Sequence, residues 1–162
     1  MPTPTEHKTV QSRILQYAQE IGWTYVDRAE AEKRRGFNND SNNILQQCRT
    51  ASLYFEDLLF AKVKEFNPKY SESQSSLIKT FTAFKPDIYG NRDFLKYLRN
   101  EGTYYCKEEN RDLNLILIDY ENPGNNVFEV TEEFYWFNGR HGNREDIVFL
   151  INGIPVLVIE CK

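Results

Sequence analysis

The segment Asp146–Lys162, which reads DIVFLINGIPVLVIECK, consists of two apolar runs separated by an Asn-Gly pair. Asn-Gly between two strand-like runs is a strong signal for a β-hairpin. Both runs are apolar at consecutive positions, as expected of central strands that are covered on both faces. The hairpin nevertheless begins at a carboxylate, Asp146, and ends with Glu160 and Lys162. Charged side chains at the end of a core strand need a partner or a bound ion.

The length of the turn decides whether the two carboxylates lie on one face of the hairpin. Side chains alternate along a strand, so Glu160 and Lys162 share a face and lie about 7 Å apart. A two-residue turn would direct Asp146 away from Glu160, whereas a three-residue turn would place Asp146 opposite Val158, on the Glu160 face. We therefore predict an odd-length turn or a bulge, which leaves the carboxylates close enough to share a divalent cation.

A structural role for the same residues is the alternative. Glu160 and Lys162 would then form an ion pair at the strand end, with Asp146 as a turn residue, and spacing alone does not choose between the two readings. Glu6 is a further candidate carboxylate, because it lies on the stripe of the first predicted helix that faces the sheet. The same position also suits a capping-box glutamate.

Composition predicts one domain over residues 1–162, since 162 residues with 40% hydrophobic content supply one core. Three widely spaced cysteines without a CxxC pair form neither a disulfide framework nor a thiolate metal site, which favours a reducing cytoplasm. The sequence shows no signal-peptide core and no apolar run of the roughly 20 residues that a membrane helix needs. We therefore expect a cytoplasmic protein without a membrane partner.

The net charge of −4 argues against a free-standing nucleic-acid binder, because phosphate neutralisation needs a basic surface. Any DNA contact must be local or assisted. The short basic cluster Lys33–Arg35 is flanked by glutamates and is interpreted as a solvated loop. No particular DNA-binding residue is indicated.

The period of the apolar residues divides the chain into a helical part, about 4–101, and a strand meander, about 103–162. The first helix carries an apolar stripe formed by Val10, Ile14, Tyr17, Ala18 and Ile21. Helices followed by strands predict an α+β fold with a mixed or mainly antiparallel sheet that is flanked by helices.

Two stretches, IDYENPGNNVFEVTEEFYWF at Ile118–Phe137 and NREDIVFLINGIPVLVIECK at Asn143–Lys162, carry a resemblance to a known family. They resemble the N-terminal endonuclease domain of the restriction (motor) subunit of type I restriction-modification enzymes, within the PD-(D/E)xK nuclease superfamily. Weaker similarity extends upstream over nearly the whole chain. The sequence departs from the family at Glu145, where proline is common and shapes the backbone more than the chemistry.

The resemblance implies a role for each candidate residue. Asp146 and Glu160 would be the metal-binding carboxylates, Lys162 would orient or polarise the attacking water, and Glu6 would correspond to the acid on the family's first helix. Magnesium prefers oxygen ligands and keeps several waters, so the backbone carbonyl of Cys161 is a suitable further ligand. The Cys161 side chain itself should point to the opposite, packed face.

The implied function is that of a magnesium-dependent type I site-specific deoxyribonuclease, which cleaves unmodified foreign DNA after ATP-driven translocation by downstream domains. No GxxxxGK[ST] motif occurs, so ATP would act only through further domains. We expect those domains to follow the strand that ends in Glu160–Lys162, after which the sequence would be truncated. The implied partners are double-stranded DNA and the modification (methyltransferase) and specificity subunits. The alternatives are a non-catalytic docking module of the same complex and a PD-(D/E)xK nuclease of another defence or repair system.

Overall fold

The computed structural model describes residues 7–162, which form two compact units. One unit comprises the described residues up to Phe55 together with Val127–Lys162, and the other comprises Glu56–Asn126. The assignment of residues 1–162 to one domain stays a prediction.

The secondary structure combines helices with two sheets. The helices are α1 (Ser12–Glu20), α2 (Arg28–Arg34), α3 (Ile44–Gln47), α4 (Glu56–Phe66), α5 (Gln74–Thr82) and α6 (Ile88–Leu98), with a π-helical segment at His7–Gln11 and a 3-10 turn at Pro123–Asn125. The strands are β1 (Thr24–Tyr25), β2 (Thr103–Cys106), β3 (Arg111–Asn114), β4 (Phe128–Phe137), β5 (Gly142–Ile151) and β6 (Ile154–Ile159). This arrangement confirms the predicted α+β class.

The larger sheet has the strand order β1-β4-β5-β6. The strand β1 runs parallel to β4, whereas the pairs β4–β5 and β5–β6 are antiparallel. The sheet is therefore mixed and mainly antiparallel, as predicted. The strand β6 is one of its edges and exposes Val156, Leu157 and Val158, so the prediction of a central strand covered on both faces is wrong for this run.

The helix α1 packs on this sheet through a narrower stripe than the sequence predicts. Its buried residues Leu15 and Ala18 contact a cluster that includes Val130, Ile147, Phe149 and Cys161, with Val10 and Ile14 partly buried beside them. The burial of the Cys161 side chain in this core confirms its predicted orientation. Tyr17 and Ile21 are 59% and 76% exposed, so their predicted place in the stripe is wrong.

The basic cluster Lys33–Arg35 is not a solvated loop. It closes helix α2, and the guanidinium of Arg34 pairs with Glu129 at 2.8 Å. Arg35 is buried and donates a hydrogen bond from Nη2 to the carbonyl of Tyr135 at 2.6 Å. These partners come from strand β4, far away in sequence, and composition alone does not reveal them.

The second unit contains α4, α5, α6 and the antiparallel hairpin β2–β3. The run Leu115–Ile118, predicted as strand, is held instead by two asparagine side chains. The Asn67 amide accepts from the backbone N–H of Ile116 and donates to its carbonyl, both at 2.8 Å, and Asn100 accepts from the Leu117 N–H at 2.9 Å. Side-chain amides thus satisfy backbone groups that a strand ladder would otherwise pair.

No helix among the described residues is both long enough and apolar enough to cross a membrane.

Candidate functional site

The hairpin that carries the candidate site closes with a two-residue turn. Ile151 pairs with Ile154, and the intervening Asn152 and Gly153 have φ values of 52° and 78°. Two positive φ angles in succession define a type I′ turn, which Asn-Gly favours. The three-residue turn is therefore wrong.

A β-bulge then changes the register of the hairpin. Leu150 pairs with Pro155, but the pairing shifts by one residue beyond this point, so that Val156 is the extra residue and Ile147 pairs with Ile159. Proline lacks a backbone N–H and is found in sheets at edges and bulges, which suits its place on the edge strand β6. The prediction was an odd-length turn or a bulge, and the structure confirms the bulge.

The shifted register brings the two candidate carboxylate positions together. Extended by one residue, it places Glu160 opposite Asp146, where the three-residue turn would have placed Val158. Asp146 is only 4% exposed, and its Oδ2 accepts a hydrogen bond from the backbone N–H of Cys161 at 2.7 Å. A buried carboxylate is thus bonded directly to the segment that carries Glu160.

Glu145 also belongs to this cluster, although the sequence assigned its position a backbone role. The carboxyl of Glu160 makes hydrogen bonds with the Glu145 carboxyl and with the Asp146 backbone. The bond to Glu145 is the main cause that raises the pKa of Glu160, followed by burial and the Asp146 charge. Adjacent carboxylates repel each other, so a cation placed between them would be stabilised.

Arg144 lies between two carboxylates at the same end of the sheet. Its Nη1 is 3.2 Å from Oε2 of Glu133, and its Nη2 is 3.6 Å from Oδ1 of Asp146. These charges raise the pKa of Arg144, with Glu133 as the largest cause and Asp146 a smaller one. The guanidinium is therefore bound mainly to Glu133.

Gln11 connects this cluster to the first helical segment. Its side-chain Nε2 lies 3.4 Å from Oε1 of Glu133, and the residue is 3% exposed. Gln11 is not among the residues predicted from the sequence. A signal was nevertheless present, because Gln11 is a polar residue four positions before the buried Leu15, on the same helical face.

The remaining candidates have simpler positions. Lys162 is exposed and follows Cys161 directly, and Glu6 lies outside the described residues. The roles assigned to Asp146, Glu160, Lys162 and the Cys161 carbonyl stay predictions.

The donor chemistry of the site suits a hard cation. In the part of the chain that the structure describes, no three or more His, Cys, Asp and Glu side chains form a ready metal cage. Magnesium, however, is commonly bound by one or two carboxylates and several waters. Asp146 and Glu160 supply two carboxyl groups, and the charges of Asp146 and Glu145, which raise the pKa of Glu160, also favour a cation beside it. The residues present therefore fit such an ion.

The fold and the site define a class: an α+β domain in which a bulged hairpin gathers acidic side chains at one end of a mixed sheet. Over residues 3–162 the sequence matches the family described as the type I restriction enzyme R protein N terminus, and the chain belongs to this family.

The chain is also similar to a protein of Methanocaldococcus jannaschii that is named as a type I restriction enzyme MjaIXP endonuclease subunit. The two are 28% identical over 166 residues. The alignment covers 97% of this chain but only 15% of the relative's length.

Proposed function

We propose that this chain is the endonuclease domain of a type I restriction enzyme motor subunit, a magnesium-dependent deoxyribonuclease that acts on double-stranded DNA in the cytoplasm. The observation that supports this most directly is the bulge at Val156, which brings Glu160 opposite the buried Asp146. Family membership supports the same activity.

In this proposal, Asp146, Glu160 and the backbone carbonyl of Cys161 would hold the ion. Bound magnesium would supply an activated water and stabilise charge on the phosphoryl oxygens. The Cys161 N–H fixes the orientation of Asp146 by its hydrogen bond to Oδ2. The exposed Lys162 would position the water and offset the charge of the phosphodiester.

The activity of the whole protein is part of the proposal. The similar region is a small fraction of the M. jannaschii relative, so a longer polypeptide would supply ATP-driven translocation, and other subunits would supply modification and sequence recognition. In this proposal, DNA cleavage is the part of the activity that this chain performs.

The test separates cleavage from translocation. In the complete polypeptide assembled with its partner subunits, Asp146→Ala, Glu160→Ala and Lys162→Ala should each reduce plasmid cleavage by about a hundredfold or more, while ATP hydrolysis persists. Asp40→Ala removes an exposed carboxylate that is not one of the site residues and should cleave normally.

Two results would count against the proposal. Normal cleavage by Asp146→Ala and Glu160→Ala would exclude this site as the nuclease. Equal loss of cleavage and ATP hydrolysis in all three variants would indicate the docking or folding role instead.

A further inference from the structure

Glu133, opposite Asp146 on the neighbouring strand, has an unusual backbone. Its φ of 53° is left-handed, although the pairs Glu132 with Ile147 and Phe134 with Glu145 continue the same register on either side. A left-handed glutamate within a strand is strained and persists only where its surroundings fix it. Strain of this kind is concentrated at functional sites.

The surroundings of Glu133 do hold its carboxylate in place. Gln11 contacts Oε1 through Nε2 at 3.4 Å, and Arg144 contacts Oε2 at 3.2 Å. An amide oxygen would repel the carboxylate, so the NH₂ group of Gln11 must be the one that faces it. The other amide atom, Oε1, is buried and has no hydrogen-bond partner among the described residues.

The guanidinium of Arg144 lies within reach of two carboxylates. It lies closer to Glu133, at 3.2 Å, than to Asp146 Oδ1, at 3.6 Å. A guanidinium and a divalent cation compete for the same carboxylate oxygen, because each is stabilised by its negative charge. Without Glu133, Arg144 would move fully onto Asp146 and oppose cation binding there.

We propose that Glu133 is a positioning residue that draws the charge of Arg144 away from Asp146, and that Gln11 holds Glu133 in this position. The inference rests on the proposed function, since it concerns the availability of Asp146 to a divalent cation. It identifies Gln11, Glu133 and Arg144 as one functional network beside the candidate catalytic residues.

The experiment measures Mn²⁺ binding to the complete polypeptide by electron paramagnetic resonance, and the binding that is lost in Asp146→Asn defines the site. Glu133→Gln should weaken this binding by about three- to tenfold, the range expected within one charge network. Arg144→Gln should bind Mn²⁺ at least as tightly as the native protein. Gln11→Leu, which leaves every charge in place, should weaken binding in the same direction as Glu133→Gln.

The double variant Glu133→Gln with Arg144→Gln distinguishes competition from a simple loss of negative charge. Competition predicts that Glu133→Gln has no effect once Arg144 is absent, so the double variant should match Arg144→Gln. A charge effect alone predicts that the two changes multiply independently. Native-like binding by Glu133→Gln, or independent effects in the double variant, would overturn the inference.

A functional readout accompanies the binding measurement. In plasmid cleavage, Glu133→Gln should require more Mg²⁺ for half-maximal rate but reach the native rate at saturation, which a folding defect would not produce. Thermal unfolding of each variant checks the fold, and if Glu133→Gln is unstable, Gln11→Leu carries the same test. Unchanged Mn²⁺ binding in Asp146→Asn would instead contradict the proposed function, and the two failures are therefore distinct.

Discussion

Gly153 is a residue whose identity is dictated by both conformation and space. Its φ is 78°, and a Cβ at this position would lie 2.6 Å from the carbonyl oxygen of Phe55. The Gly153 carbonyl in turn accepts a hydrogen bond from the Phe55 N–H at 3.0 Å. The tip of the site hairpin is therefore fixed against the chain before α4.

Gly153→Ala should lower the free energy of unfolding by about 2–4 kcal/mol, because backbone strain and a backbone clash add together. Denaturant titration of the 162-residue chain measures this change. Gly139→Ala is the matched control, since Gly139 has a φ of 93° but open space around its Cα. Gly139→Ala should lower the free energy of unfolding by only about 1–2 kcal/mol, because it adds backbone strain without a clash. Equal losses in the two variants would show that the contact with Phe55 has no energetic weight.

Single residues also show how far sequence reasoning reaches into the site. Asp146 and Glu160 were selected because a carboxylate at the end of an apolar strand is conspicuous. Glu133 carries no such signal, and the helical-face position of Gln11 does not reveal its partner. Their contact joins positions 122 residues apart and depends on how the first helical segment meets the sheet. Contacts of this kind follow from tertiary packing.

Among the elements, strands with strong apolar or aromatic patterns were predictable. The strands β4 and β6 lie within the predicted strand meander, whereas β5 begins at Gly142, four residues before the run that starts at Asp146. The strand β1 has two residues and α2 buries only Ala31, so neither has enough periodicity to be recognised. The sequence predicts the bulge only as an alternative to an odd-length turn. An Asn-Gly turn fixes the pairing next to the turn but does not determine the pairing farther along the two strands.

Strand β4 stores strain at Glu133 that glycine would release. Glu133→Gly should be more stable than Glu133→Ala by about 1 kcal/mol, because glycine adopts a left-handed φ without steric cost. Thermal or denaturant unfolding of the two variants gives the difference directly. At the neighbouring Glu132, which is not among the residues with positive φ, the order should reverse, with Gly less stable than Ala. The same order at both positions would mean that Glu133 is unstrained in solution.

For the whole molecule, composition and fold class were the most accessible properties. The α+β class followed from the change of period along the chain, and the family followed from the Asn-Pro-Gly-Asn-Asn and Asn-Gly-Ile-Pro stretches. The division of the described residues into two compact units was not visible, since no linker composition separates them.

The charge of the whole chain predicts weak DNA binding. With a net charge of −4, the 162-residue chain should bind duplexes more weakly than the roughly 10⁻⁴–10⁻⁶ M that is usual for non-specific binding, and without sequence preference. Fluorescence anisotropy with several labelled duplexes at two salt concentrations measures this. Addition of Ca²⁺ should strengthen binding, because Asp146 and its neighbouring acids otherwise repel phosphate. Tight, sequence-selective binding would show that the domain recognises DNA by itself.

The bulge at Val156 has a consequence for how this hairpin can evolve. Val156 is partly exposed, so many side chains would fit there. The register that places Glu160 opposite Asp146 nevertheless requires one extra residue at this position. A substitution leaves the alternation of the strand intact, whereas a one-residue deletion turns every later side chain to the other face. Natural variation at Val156 should therefore be permissive in residue type, whereas the length of the segment between Asp146 and Glu160 should be strict, with gains and losses occurring in compensating pairs.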